Sequence, residues 1–119
     1  MEKYVLDFAP PIIGMDGVFN TFRLGAAWVK RVEGGEVILL VNKARSLVIG
    51  RAKVVDIEVG TLTDMAQKHA YRNHNHREYE QTVAAERLIQ SMIKRYGPHK
   101  CNENSKVTVM YLEIIEYAT

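Results

Sequence analysis

Three of the four histidines in this 119-residue chain stand in one stretch, KHAYRNHNHREYE, as His69, His74 and His76. Four roles compete for it: a metal centre, general acid–base catalysis, a surface that reads nucleotides, and the plain polar end of a helix. Zinc takes a convergent set of nitrogen, sulfur or oxygen ligands, usually four in structural sites. On an unbroken helix His69 and His76 share one side and His74 points elsewhere. The sequence has no HExxH and only one cysteine. No metal and no other cofactor is expected. Arg72, Asn73 and Asn75 lie among the histidines. Asparagine commonly ends and begins helices, and Arg72 there can be simple solvated charge. The functional reading is that asparagine amides pair with base edges, while arginine and histidine contact phosphate or stack on bases.

A second candidate is NTFRLG. Strand alternation puts Thr21 and Arg23 on one side. Thr21 offers a hydroxyl and Arg23 a planar charged fork. A guanidinium turned into a small fold needs an anion. Ligand phosphate and a structural carboxylate, with Asp56 or Glu58 in view, are equal readings. Lys43, Arg45, Arg51 and Lys53 form either a basic edge or ordinary solubility charge. Tyr79 and Tyr96 follow a helical core stripe, Trp28 anchors a short helix, and Tyr71 is uncommitted. No Gly-rich nucleotide fingerprint, Walker motif or Ser-His-acid series is present.

These residues need elements to hold them. Tyr4 to Phe8 reads as a short strand, and PPIIGMDG as a loop whose Ile12, Ile13 and Met15 cover the core. Val18 to Leu24 is a strand, AAWVKRV a short helix with Trp28 and Val32 inward, and Gly34-Gly35 a turn. Glu36 to Asn42 is an apolar strand. LVIGRAKVVDIEVG is long enough for one bent strand, with the bend or bulge at Gly50. Thr61 or Thr63 caps a helix carrying Leu62, Met65, Ala66, His69 and Ala70 on one stripe. A longer helix runs from Tyr79 to Tyr96 and stops at Gly97-Pro98. KVTVMYLEIIEY closes the chain as a strand. The order predicts an α+β fold, a small mixed barrel or half-barrel with helices packed on one side, in a single domain over residues 1–119.

Composition agrees with a globular chain: 47% hydrophobic, 25% charged, net charge +2. So weak a basic excess permits a phosphate-facing surface without demanding one. Cys101 cannot form an intrachain disulfide, which suits a reducing compartment. In HKCNEN it is expected to be an exposed thiol. No apolar run is long enough to cross a bilayer and MEKYVLDFAP has no signal-peptide layout. The cytoplasm is the expected location, with no membrane partner.

The combined pattern resembles the ASCH superfamily, whose fold is similar to the PUA domain. The resemblance rests on FNTFRLG, VILLV, IGRAKVVDIEVGTLTDMAQKHA and VTVMYLEII, from about Val18 to Ile115. It implies a small PUA-like β-barrel with a cleft beside its helices and a role with RNA or modified nucleosides. One branch, the bacterial N4-acetylcytidine amidohydrolases, uses a lysine, a threonine and a glutamate. Thr21 matches the threonine, but Val18 and Asn73 occupy the lysine and glutamate positions. Valine has no proton to move, and asparagine cannot act as a carboxylate base. The fuller motif Gly-x-Lys-x-x-Glu-x-Arg retains only Arg23; Asp16, Val18 and Thr21 occupy the rest.

The leading expectation is non-catalytic binding of single-stranded RNA or a nucleotide, modified or not, with Thr21, Arg23, His69, Arg72 and Asn73 lining the cleft. Two alternatives stay open. One is a small hydrolase of modified nucleosides or a metal-independent ribonuclease, with His69 as general base and Arg23 stabilising charge. The other is a protein-interaction or inhibitory factor using the exposed face of the longer helix and the loop from Lys100 to Asn104.

Overall fold

A computed structural model of the chain describes residues 4–118. Met1–Lys3, part of the start read above as lacking a signal peptide, and Thr119 lie outside the described residues. The elements are β1 (Val5–Phe8), β2 (Val18–Leu24), α1 (Ala27–Arg31), β3 (Val37–Asn42), β4 (Leu47–Thr61), α2 (Leu62–His69), a 3-10 turn (Ala70–Arg72), α3 (Gln81–Tyr96) and β5 (Lys106–Tyr117).

The strands form one mixed sheet in the order β1-β3-β4-β5-β2. β1 runs parallel to β3, and the other pairs are antiparallel. The 15-residue β4 makes the sheet curl. Its first half pairs with β3 and most of its length with β5, with register shifts at Leu40/Val41, Arg51/Ala52 and Val54/Asp56. Each shift bends a strand and increases its twist. Gly50, where the sequence predicts a bend, lies at a close approach: a β-carbon there would run into the Glu116 carbonyl. The result is a small α+β half-barrel, partly open, with helices packed to one side.

Side-chain alternation divides the core in two. Phe22 of β2 and Val107, Val109 and Tyr111 of β5 pack with Leu62, Met65, Leu88 and Met92 of the helices. Phe19, Met110 and Leu112 face the hollow of the sheet with Leu6, Phe8 and Ile38. Met15 is buried and Ile12 partly buried against the same hollow, while Ile13 is exposed. Val32 is buried and Trp28 partly buried there, as the short-helix reading predicts.

The helix ends follow local chemistry. Thr61 Oγ1 accepts from the Asp64 N–H at 3.2 Å, the expected cap of α2. α3 starts later than its apolar stripe suggests. Glu80 is its cap, accepting from the Val83 N–H at 3.2 Å. Tyr79 therefore sits in the preceding turn, with the Arg87 guanidinium 4.3 Å from its ring centre. Cys101 also departs from expectation, being fully buried rather than exposed. The N–H groups of Lys100 and Cys101 both donate to the Gly97 carbonyl, so the chain doubles back and tucks the thiol beneath α3. Burial pushes that thiol's pKa up. Among the described residues no helix is long and apolar enough to cross a membrane.

Candidate functional site

The edge strands β1 and β2 are not hydrogen-bonded to each other. Side chains bridge the opening between them. Arg23 reaches from β2 to Asp7 on β1 at 3.6 Å, and its guanidinium lies 4.8 Å from the Phe8 ring centre. The sequence left Asp56 and Glu58 as candidate partners, but the acid that Arg23 meets is Asp7. His74 wedges into the same opening, its ring edge-on to Phe8 and Phe19.

The segment after α2 carries His74 there. Past the 3-10 turn, the chain extends at Asn73 and forms a parallel bridge to Asn20. The Asn20 carbonyl accepts from the His74 N–H at 3.3 Å and from Asn73 Nδ2 at 3.2 Å. Asn20 Nδ2 in turn donates to the His69 carbonyl at 2.8 Å. One fully buried asparagine thus ties the segment to the free edge of β2. On its other side, Asn73 Oδ1 accepts from the Asn75 N–H at 3.1 Å and lies 3.0 Å from His76 Nδ1. Arg77 fastens the far end, donating to the carbonyls of Gly14 and Asp16 at 2.6 and 2.7 Å. Gly14, at φ +66°, packs so closely that a β-carbon would strike the His74 carbonyl.

A cleft of about 60 Å³ opens beside this segment. That volume holds a few waters or one edge of a ligand rather than a whole nucleotide. β2 contributes Thr21 and Arg23, the segment Asn73 to His76, and α3 Ser91, Arg95 and Tyr96. Its electrostatics are those of a cation with neutral imidazoles. Burial lowers the Arg23 pKa to about 10, which leaves it charged at neutral pH. Burial, and then the Arg23 charge, lower His74 to about 4, against an opposing hydrogen bond with Ile13. His76 is lowered by burial and then by Arg87. Arg95 is exposed on the last turn of α3. His74 Nδ1 and Asn75 Oδ1 are buried without a partner. Among the described residues no group of three or more His, Cys, Asp or Glu could hold a metal ion.

Of the five residues expected to converge, Thr21, Arg23 and Asn73 line the cleft, whereas His69 and Arg72 do not. The His69 ring is held at both ends, 2.7 Å from the Tyr111 hydroxyl at Nδ1 and 2.7 Å from Glu58 Oε1 at Nε2. A carboxylate only accepts, so Nε2 donates, and in the neutral ring Nδ1 accepts from Tyr111. The His69 bond, ahead of the Lys68 charge, holds the Glu58 carboxyl below its usual range. The Arg72 guanidinium lies 4.8 Å from the Tyr111 ring centre. This second polar cluster belongs to the face of β4 and β5. Asn20 bonds to both sides, donating to the His69 carbonyl and accepting from Asn73.

His74 overturns a simpler expectation. At the polar end of a helix it would be solvated, yet it is only 7% exposed. The extended backbone at Asn73 drives this, because it turns the next side chain into the opening of the sheet. His76, Ser91, Arg95 and Tyr96 were not foreseen as cleft residues. Some signal existed: Asn73 can make an Asx turn to Asn75, and Ser91 and Arg95 share a helix face at four residues' spacing.

No family model and no curated protein matches the chain. Solved structures share its fold. Protein EF3133 from Enterococcus faecalis V583, assigned to DUF984, superposes with a TM-score of 0.61 at 8% identity, covering 83% of this chain and 61% of that one. The chain thus spans about three fifths of that structure's length. The hypothetical protein PH0355 superposes with a TM-score of 0.63 at 15% identity, covering 94% of this chain and 98% of the other. At these identities the likeness is one of fold.

Proposed function

We propose that this half-barrel is a PUA-like module that binds a nucleotide unit, free or within single-stranded RNA, at the cleft between β2 and α3, and that it does so without catalysis. The observation that carries the reading is that Arg23 and Arg95 both line a polar cleft at the open edge of the sheet. Two guanidinium groups there suit a phosphate, which takes forked donors well. Thr21, Asn73 and Asn75 supply short polar groups for sugar or base, and Tyr96 supplies an aromatic face. The small volume favours a ligand that inserts one edge and leaves the rest along the surface.

A hydrolase built on His69 with Arg23 requires both at one place. His69 is instead engaged by Tyr111 and Glu58 outside the cleft. Asn73, at the position where the related amidohydrolases carry glutamate, holds its amide against the Asn20 carbonyl. Both facts weigh toward binding.

The test is affinity for short single-stranded RNA across a salt series. The protein should bind, and Arg23→Ala and Arg95→Ala should each lower affinity and reduce the slope of log K against log salt by about one. A folded protein that binds no RNA and no nucleotide would sink the proposal.

A further inference from the structure

Asn73 leaves little freedom to His76. The orientation of the Asn73 amide is set by two bonds that do not involve a histidine. Its Nδ2 donates to the Asn20 carbonyl, and its Oδ1 accepts from the Asn75 N–H. The atom facing His76 Nδ1 at 3.0 Å is therefore an acceptor. Nδ1 must carry a hydrogen to meet it. In the neutral ring the lone pair then belongs to Nε2, at the far end of the imidazole. Among the described residues nothing bonds to that nitrogen. His76 is also partly buried at the cleft, and burial and the Arg87 charge both favour its neutral form. His76 lines the same cleft as Arg23 and Arg95, and in the neutral ring Nε2 is its free acceptor.

We propose that His76 is the residue by which the cleft distinguishes ribose from deoxyribose, its Nε2 accepting from the ligand's 2′-hydroxyl while Arg23 and Arg95 hold the neighbouring phosphate. This rests on the nucleotide reading above and adds which group of the nucleotide is recognised. A hydroxyl donor placed beside an anion is the chemistry that separates an RNA unit from a DNA unit. Asn73 is a positioning residue here, acting through the tautomer it imposes.

The experiment compares matched short single strands of RNA, DNA and 2′-fluoro RNA by fluorescence anisotropy. The fluoro sugar keeps an RNA-like pucker but has no donor. Wild-type protein should bind RNA about fivefold more tightly than either analogue, the value of one ordinary hydrogen bond. His76→Asn keeps a polar atom near the Nδ1 position and has none at Nε2, so it should bind all three alike at the DNA level. His76→Gln, whose amide reaches further, should regain part of the preference. Equal wild-type affinity for RNA and 2′-fluoro RNA would overturn the inference without any variant and leave the binding function standing. So would a full RNA preference in a folded His76→Asn protein. Failure of all three strands to bind would remove the nucleotide reading and this inference together.

Discussion

Arg23 and Asp7 meet at 3.6 Å across the opening between the two edge strands, and they are unequally solvated: the Arg23 side chain is 19% exposed and that of Asp7 54%. An exposed carboxylate contributes little to such a pair, on the order of 1 kcal/mol or less. It also competes with any anion that approaches the guanidinium. Asp7→Asn should change the melting temperature only slightly and strengthen RNA binding a few-fold at low salt. Weaker binding in a stable Asp7→Asn protein would mean that Asp7 aims Arg23 rather than competing for it.

His74 predicts an acid weakness. Its pKa is about 4 in the fold against 6.5 for the ordinary group, chiefly because burial disfavours the charged ring. Between those values the unfolded chain binds more protons than the folded one. Stability therefore falls as pH drops through 6.5 and levels off below about 4, with a limiting slope of about 1.4 kcal/mol per pH unit from this group. His74→Phe keeps an aromatic ring against Phe8 and Phe19 and removes the titration. In urea unfolding from neutral pH to pH 4, the variant should lose less stability than the wild type. Equal losses would show that His74 is not held neutral inside.

The histidines at 69 and 76 should show opposite tautomers. Glu58 draws a hydrogen to Nε2 of His69, whereas Asn73 draws one to Nδ1 of His76. Long-range proton–nitrogen correlation spectra at neutral pH read this directly. Asn73→Asp should raise the His76 pKa, because a carboxylate favours the imidazolium. An Nε2–H tautomer at His76 in the wild type would break the chain of reasoning at its first link.

The second polar cluster should matter for stability and little for ligand. Tyr111→Phe removes the hydroxyl that meets His69 Nδ1 and leaves that nitrogen without its partner. A loss of about 1–2 kcal/mol is expected in denaturant unfolding. RNA affinity should stay within about twofold, since neither residue lines the cleft. A large fall in affinity with stability unchanged would place this cluster in the binding surface.

Local patterns foretold much of the fold. The strand at Val18–Leu24 puts Thr21 and Arg23 on one side, where Arg23 Nε donates to Thr21 Oγ1 at 3.3 Å. Thr61 caps α2 through the spacing that predicts it. What alternation and helical periodicity could not disclose was how the sheet curls. That curl brings Asp7 to Arg23 although the two strands share no hydrogen bonds. Nor could helical periodicity reveal the extension at Asn73, which parts His69 from His74 and sends them to different surroundings. Arg95 joins the cleft because α3 packs beside β2. The polar loop around Cys101 concealed a buried thiol because its turn is made by backbone bonds to Gly97.

The hold of Arg77 on Gly14 and Asp16 bears on how acid reaches the interior. The loop it secures lies against the backbone of His74, and Gly14 permits that contact at a spacing no side chain would allow. Water must displace this cover before it can hydrate the buried imidazole from that side. Detachment of the loop and protonation of His74 therefore reinforce each other: charging the ring favours the open cover, and opening the cover lets the ring stay charged.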